Sequence, residues 1–186
     1  MRIVFMGPPG AGKGTQATRL RDDLSIPHLS TGEVLREACR AGTKFGRQAA
    51  AYVEAGKLVP DETVLDIVVE RLDQTDCQTG FLFDGFPRTV AQAEALDRLL
   101  GERNLAIDLV LELVIEIDEL ILRLSQRGRS DDTEEVIRER LQQYDVLTRP
   151  VIDYYRERNL VETICGEGTP DEIFARIKVA VDKVGT

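Results

Sequence analysis

The chain has no tryptophan, one histidine and three cysteines, and aromatic residues make up 5% of its 186 positions. With so few rings the core must come mostly from Leu, Ile, Val and Ala, which is feasible because 42% of the residues are apolar. Cys39, Cys77 and Cys165 lie far apart and form no CxxC pair. Their odd number argues against a disulfide framework, so incidental thiols in a reducing compartment are expected. An uncharged run long enough to span a bilayer is also missing. The most apolar stretch, 105–124, carries Asp108, Glu112, Glu116, Asp118, Glu119 and Arg123. The N-terminal MRIVFMGPPG shows no apolar segment followed by a small-residue cleavage site, and a cytoplasmic location is expected. Basic residues are in deficit, 24 Lys and Arg against 33 Asp and Glu, for a net charge of −9. That balance argues against nucleic acid and anionic membranes as partners. A polyanionic ligand would need Arg and Lys concentrated in one place.

The length suits one domain, 1–186, at about 150 residues per domain. Short apolar runs at 1–6, 80–83, 107–117 and 160–165 read as strands. Between them, 11–23, 62–72, 90–100, 120–127, 134–146 and 171–184 carry apolar residues at helical spacing. Alternating strands and helices predict a parallel α/β sheet covered on both faces. The segment 30–56 breaks the alternation with two helical patterns and no strand, as a helical insertion beside the sheet would. A polar, charged connector, QRGRSDDT, joins two helices at 126–133. Pro150 should end or kink its helix near Arg149.

The first strand runs straight into Gly7-Pro8-Pro9-Gly10-Ala11-Gly12-Lys13-Gly14-Thr15, which fits GxxxxGK followed by Gly-Thr. Glycines let backbone N–H groups turn inward as an anion nest. The following helix points the positive end of its dipole at the same spot. Lys13 adds a mobile point charge for a phosphate. A nucleoside triphosphate is the expected ligand. Arg36, Arg88, Arg123, Arg127, Arg129 and Arg140 supply guanidinium forks suited to phosphate oxygens, the groups phosphoryl transfer requires.

GPPGAGKGTQ at 7–16 resembles the phosphate loop of the nucleoside monophosphate kinases, and of the adenylate kinase family in particular. Similar segments follow in that family's order: Ser30-Thr31-Gly32-Glu33 with Leu35 and Arg36, 56–61, GFLFDGFPR at 80–88 with Gln92, and 128–132. The resemblance spans 3–175, nearly the whole chain. It implies a three-layer P-loop fold with a five-stranded parallel sheet, a small helical insertion at 30–59 for the monophosphate and a minimal lid at 126–132. The implied reaction is Mg²⁺-dependent, reversible and in-line, ATP + AMP ⇌ 2 ADP, serving nucleotide homeostasis and purine salvage. A monomer is implied as well.

By the same likeness, Gly10, Ala11, Gly12, Lys13, Gly14 and Thr15 hold ATP phosphates, Arg123 and Arg127 meet the adenine and phosphates of ATP, and Gly168 touches the ATP base. Thr31, Arg36, Lys57, Leu58, Val59, Gly85, Phe86, Pro87, Arg88 and Gln92 hold AMP, with Arg88 on its phosphate. Arg129 and Arg140 close over the phosphates from the lid side. Lys13, Asp84, Arg88, Arg123, Arg127, Arg129 and Arg140 form the implied catalytic set. Asp84, ending the apolar run FLF, would support Mg²⁺ through water. The nucleophile is an already ionised AMP oxygen, so no general base is required and His28 is read as structural.

Two other functions compete with this one. A UMP/CMP-type kinase would lack the Thr31 and Gln92 arrangement, which resembles AMP-specific members, and a site that pairs a base's polar edge rejects the wrong base. A non-catalytic ATP/AMP sensor could dispense with the acceptor-side arginines, all of which are present. No NKxD motif supports a switch GTPase. Only Gly128 separates Arg127 from Arg129, and no cysteine is near, so a zinc-bearing lid is excluded. So short a lid should exclude water poorly. Phosphate release from ATP without acceptor is expected above background, and a rate at background removes that expectation.

Overall fold

The computed structural model describes residues 1–126 and 133–185. The expected lid, with Arg127 and Arg129, therefore lies outside the described residues apart from Gln126. Among the described residues five segments form strands: β1 (Arg2–Met6), β2 (His28–Ser30), β3 (Phe81–Asp84), β4 (Leu109–Val114) and β5 (Val161–Cys165). They pair in the order β2-β3-β1-β4-β5, every pair parallel. This is the five-stranded parallel sheet that the resemblance implies.

Nine α-helices occur among the described residues: α1 (Lys13–Leu24), α2 (Thr31–Arg40), α3 (Lys44–Glu54), α4 (Asp61–Leu72), α5 (Val90–Gly101), α6 (Ile117–Gln126), α7 (Glu134–Gln143), α8 (Arg149–Arg156) and α9 (Pro170–Val184). Side chains of β1 alternate between two buried faces. Ile3 and Phe5 join one core with Leu20 of α1, Leu120 of α6 and Ile177 of α9. Val4 and Met6 join the other with Val68 of α4, Leu96 of α5 and Tyr155 of α8. A strand buried on both faces has no polar alternation, which is why β1 reads as a continuous apolar run. Each fully buried aliphatic side chain stabilises by about 1.5–3 kcal/mol, so a core poor in rings suffices. The few rings present are concentrated: Phe83 stands edge-on to Phe81 at 4.9 Å and to Phe86 at 5.2 Å. Cys77 is buried, and burial pushes its thiol up to about 11. Among the described residues no helix is long and apolar enough to cross a membrane.

Three local features differ from the sequence expectations. Strand β2 ends at Ser30, where no strand is expected; with three residues and one buried side chain, Leu29, it is too short to show a period. The expected strand 107–117 is Leu109–Val114, and Ile117 instead opens α6, whose first turn holds Asp118 and Glu119 at the positive end of the helix dipole. Pro150 does not end the helical course. Residues Tyr144–Thr148 form a wider π-type turn, and Pro150 then sits in the first turn of α8, where a missing N–H costs nothing.

Candidate active site

Helix α1 begins without a side-chain cap among the described residues; Gly12 precedes it at φ 88. Its first-turn N–H groups therefore point into the glycine loop, as an anion site requires. Gly10, also at φ 88, cannot be replaced without cost, because a Cβ there would lie 2.9 Å from Leu124 Cγ and 3.2 Å from the Leu120 carbonyl. The loop is thus seated directly on α6. Lys13 Nζ donates to the carbonyl oxygens of Gly7 at 2.8 Å and Pro8 at 3.0 Å, so its ammonium lies within the loop's own curve. On α6, Arg123 Nε donates to Glu119 Oε1 at 2.7 Å, one turn away. Gln16, 2% exposed, donates through Nε2 to the Pro170 carbonyl, tying α1 to the start of α9, two residues after Gly168.

Across the cleft, β3 ends at Asp84 and the chain turns at Gly85, φ 79. A Cβ on Gly85 would meet Arg88 Nη2 at 2.9 Å and Thr31 Oγ1 at 3.2 Å. The Gly85 carbonyl accepts from Thr31 Oγ1 at 2.8 Å and from Arg88 Nε at 2.7 Å, drawing both side chains to one point. The Phe86–Pro87 peptide is cis. Arg88 is braced along its backbone as well. Its N–H donates to Gln92 Oε1 at 2.7 Å, and its carbonyl accepts from Thr148 Oγ1 at 3.0 Å. Burial pulls the Arg88 guanidinium below its ordinary value, Asp84 acts the other way, and Arg140 lowers it further. It nonetheless keeps its charge, as arginine does in proteins.

Both halves face one cleft of about 980 Å³. Its described charged lining has six cations (Lys13, Arg36, Lys57, Arg88, Arg123 and Arg140) against three acids (Glu33, Asp84 and Glu119). An acidic protein has gathered positive charge in one place, as a polyanionic ligand demands. Asp84 is the acid at the bottom. Burial resists its ionisation, but His28, Lys13 and Arg88 together hold its carboxyl below the usual value. His28 Nε2 stands 3.6 Å from Asp84 Oδ2, an ion-pair distance only if the imidazole is protonated, and both side chains are largely buried. Among the described residues no group of three or more His, Cys, Asp or Glu could hold a metal.

Of the residues singled out in the sequence, Gly10, Gly12, Lys13, Gly14, Thr15, Arg123 and Gly168 border the cleft on the glycine-loop side. Thr31, Arg36, Lys57, Leu58, Val59, Asp84, Gly85, Pro87, Arg88, Gln92 and Arg140 border the rest. Ala11 and Phe86 do not: both are buried. Arg127 and Arg129 lie outside the described residues. Sequence reasoning missed Asp61, Glu119 and Thr148, each of which holds a singled-out residue by a hydrogen bond. Asp61 closes the 56–61 segment that carries the resemblance and opens α4, a signal that was there to be used. Thr148 carried none, because only the turn before α8 brings it to Arg88.

A glycine loop on a helix without a side-chain cap, facing an arginine-braced turn across a cationic cleft, is the arrangement of a P-loop phosphotransferase. The chain belongs to the adenylate kinase family, whose model matches residues 5–160. It is similar to the adenylate kinase of Mycolicibacterium paratuberculosis, 49% identical over 183 residues that cover 98% of this chain and all of the relative. The adenylate kinase of Thermodesulfovibrio yellowstonii is 45% identical over 214 residues, covering 98% of this chain and 100% of its own. That of Archaeoglobus fulgidus is 40% identical over 215, with 99% of each chain covered. The two longer alignments contain length that this chain lacks, and the mycobacterial relative lacks it too.

Proposed function

We propose that the chain catalyses ATP + AMP ⇌ 2 ADP by direct in-line phosphoryl transfer, as one P-loop domain with a monophosphate-binding insertion at 30–59 and a short lid at 126–132. The observation that carries this reading is the single cleft shared by the Lys13 loop and the Thr31–Gly85–Arg88 cluster, in which cations outnumber acids two to one. The glycine loop, uncapped α1 and Lys13 hold the ATP phosphates, while Arg123 and the Gly168 loop border the end where the ATP base would rest. Arg36 and Arg88 hold the AMP phosphate, and Thr31, the 57–59 backbone and Gln92 hold the rest of that nucleotide. Arg88 keeps the attacking oxygen in line; Arg123 and Arg140, with Arg127 and Arg129 of the lid, neutralise charge on the moving phosphoryl group. Positioning and charge neutralisation are the whole task, because the nucleophile arrives ionised.

Mg²⁺ belongs to this reading. Asp84 fits it: one ionised carboxylate at the strand end, with Gly14 so close that a Cβ would lie 3.8 Å from Asp84 Oδ2, suits an ion held mainly by phosphates and water. When bound, the ion supplies further charge neutralisation on the phosphate oxygens. The resemblance supports a monomer in the cytoplasm acting on ATP, AMP and ADP.

The decisive experiment supplies only ADP and Mg²⁺. ATP and AMP should appear in equal amounts, by chromatography, until the mixture reaches equilibrium. If ADP persists unchanged while ATP still binds, the second site accepts another monophosphate or the protein is not a catalyst. A panel of CMP, UMP and GMP with ATP then separates those outcomes.

A further inference from the structure

Asp61 opens α4 and is not among the site residues that the resemblance implies, yet it holds the side chain that would read the acceptor base. Its Oδ1 accepts from Gln92 Nε2 at 2.7 Å, and its Oδ2 accepts from Thr89 Oγ1 at 2.9 Å. Thr89 in turn caps α5 by accepting the Gln92 N–H at 3.1 Å. The other end of the Gln92 amide is equally committed, since Oε1 accepts the Arg88 N–H at 2.7 Å. Gln92 is 2% exposed, but it borders the cleft.

We propose that Asp61 and the Arg88 N–H lock the Gln92 amide in the one orientation that fits adenine, making Asp61 a specificity-determining positioning residue. This rests on the reading above that Gln92 faces the AMP base. A glutamine amide has two N–H donors and two acceptor lone pairs. Asp61 uses one donor and the Arg88 N–H uses one lone pair, leaving one of each in a defined order. An ionised carboxylate only accepts and a peptide N–H only donates. Turning the amide over would set two acceptors against each other at Asp61 and two donors at Arg88, in a buried place where unpaired polar groups are costly. The remaining pair matches adenine, which offers an acceptor at N1 beside a donor at N6. Guanine and hypoxanthine offer a donor at N1 and an acceptor at O6, the reverse order. The phosphate held at Arg88 sets where the base lies, so the base cannot restore the match by sliding. Arg88 thereby joins phosphate binding and base reading in one network, with Asp61 at its far end.

The test compares kcat/KM for AMP and for inosine monophosphate at saturating ATP. Asp61→Asn keeps the shape but can present an N–H to Gln92, which leaves the Arg88 N–H as the one contact that still opposes turning of the amide. The AMP preference should then fall at least tenfold. Asp61→Glu keeps acceptor-only chemistry, and its preference should stay near that of the natural chain even if both values drop together. Gln92→Ala serves as the reference for a lost base contact. If Gln92→Ala collapses the preference and Asp61→Asn leaves it unchanged, the lock is wrong and the adenine-facing reading of Gln92 survives. If Gln92→Ala leaves the preference unchanged, Gln92 does not read the base and both ideas fall. A merely structural role for Asp61 lowers both substrates alike and leaves the ratio unmoved, which also overturns the proposal. Should Asp61→Asn fail to fold, Asp61→Ser, whose hydroxyl donates or accepts, is read by the same ratio.

Discussion

Lys13→Met lowers turnover by at least about 10²–10³-fold, the loss typical of removing one preorganised group that stabilises transition-state charge. At about 1.4 kcal/mol per factor of ten, this corresponds to about 3–4 kcal/mol of transition-state stabilisation. The ammonium now donates to the Gly7 and Pro8 carbonyls, inside the curve of the loop where the phosphates would lie. A mobile point charge can leave those carbonyls and follow the phosphoryl group as it moves. Methionine retains an unbranched apolar stem, so packing along the loop is largely kept. The two lost hydrogen bonds weaken the loop by about 1 kcal/mol each. Steady-state rates of ADP formation, read beside the thermal unfolding midpoint, separate the two effects. A fall in turnover by orders of magnitude, with a midpoint lowered by only about 4–8 °C, is the expected result. Turnover close to that of the natural chain would show that the loop holds no reacting phosphate.

Arg88→Ala should cost more on the acceptor side, about 10³-fold in kcat/KM for AMP, with kcat reduced as well as KM raised. The reason is that its partner phosphate is the nucleophile, so the guanidinium acts on both binding and alignment. The substitution should leave the fold standing. The contacts that brace this turn use the backbone of residue 88, its N–H to Gln92 and its carbonyl to Thr148, and an alanine keeps both. Thr31 still donates to the Gly85 carbonyl once Arg88 Nε is gone. Arg88→Lys should rescue little, because a point charge cannot reproduce a planar fork. ATP binding, measured separately by calorimetry, should be almost unaffected. An effect confined to KM would mean that Arg88 holds AMP without aligning it.

The strand–loop–helix at 1–24 was legible because two independent signals coincide there, a double-faced apolar run and a glycine pattern that ends in Lys13. Strand β2 was not, since three residues carry no period; it exists because β3 offers its free edge beside Pro27 and Leu29. The 107–117 run misled for a related reason. Apolar residues at 115 and 117 continue the strand's composition, but the sheet ends at Val114 and the acidic pair that follows favours a helix start. Around the site, Thr31, Arg36, Arg88 and Gln92 could be singled out through a resemblance in segment order. The hydrogen bonds that bring Thr31 and Arg88 to the Gly85 carbonyl and tie Arg88 to Gln92 could not.

By itself the sequence determined the local matters: which runs are buried on both faces, where the glycine loop meets α1, and that an acidic chain keeps a set of arginines in the segments that carry the family likeness. Those follow from composition and spacing along a few turns of chain. Only the tertiary structure decided that Asp61 meets Gln92 across 31 positions, that Thr148 reaches the Arg88 carbonyl across 60, and that His28 lies beside Asp84. Such contacts depend on how β2 pairs with β3, and on how α4, α5 and the turn before α8 pack on one face of the sheet. Packing is a property of the whole core, and no local pattern encodes it.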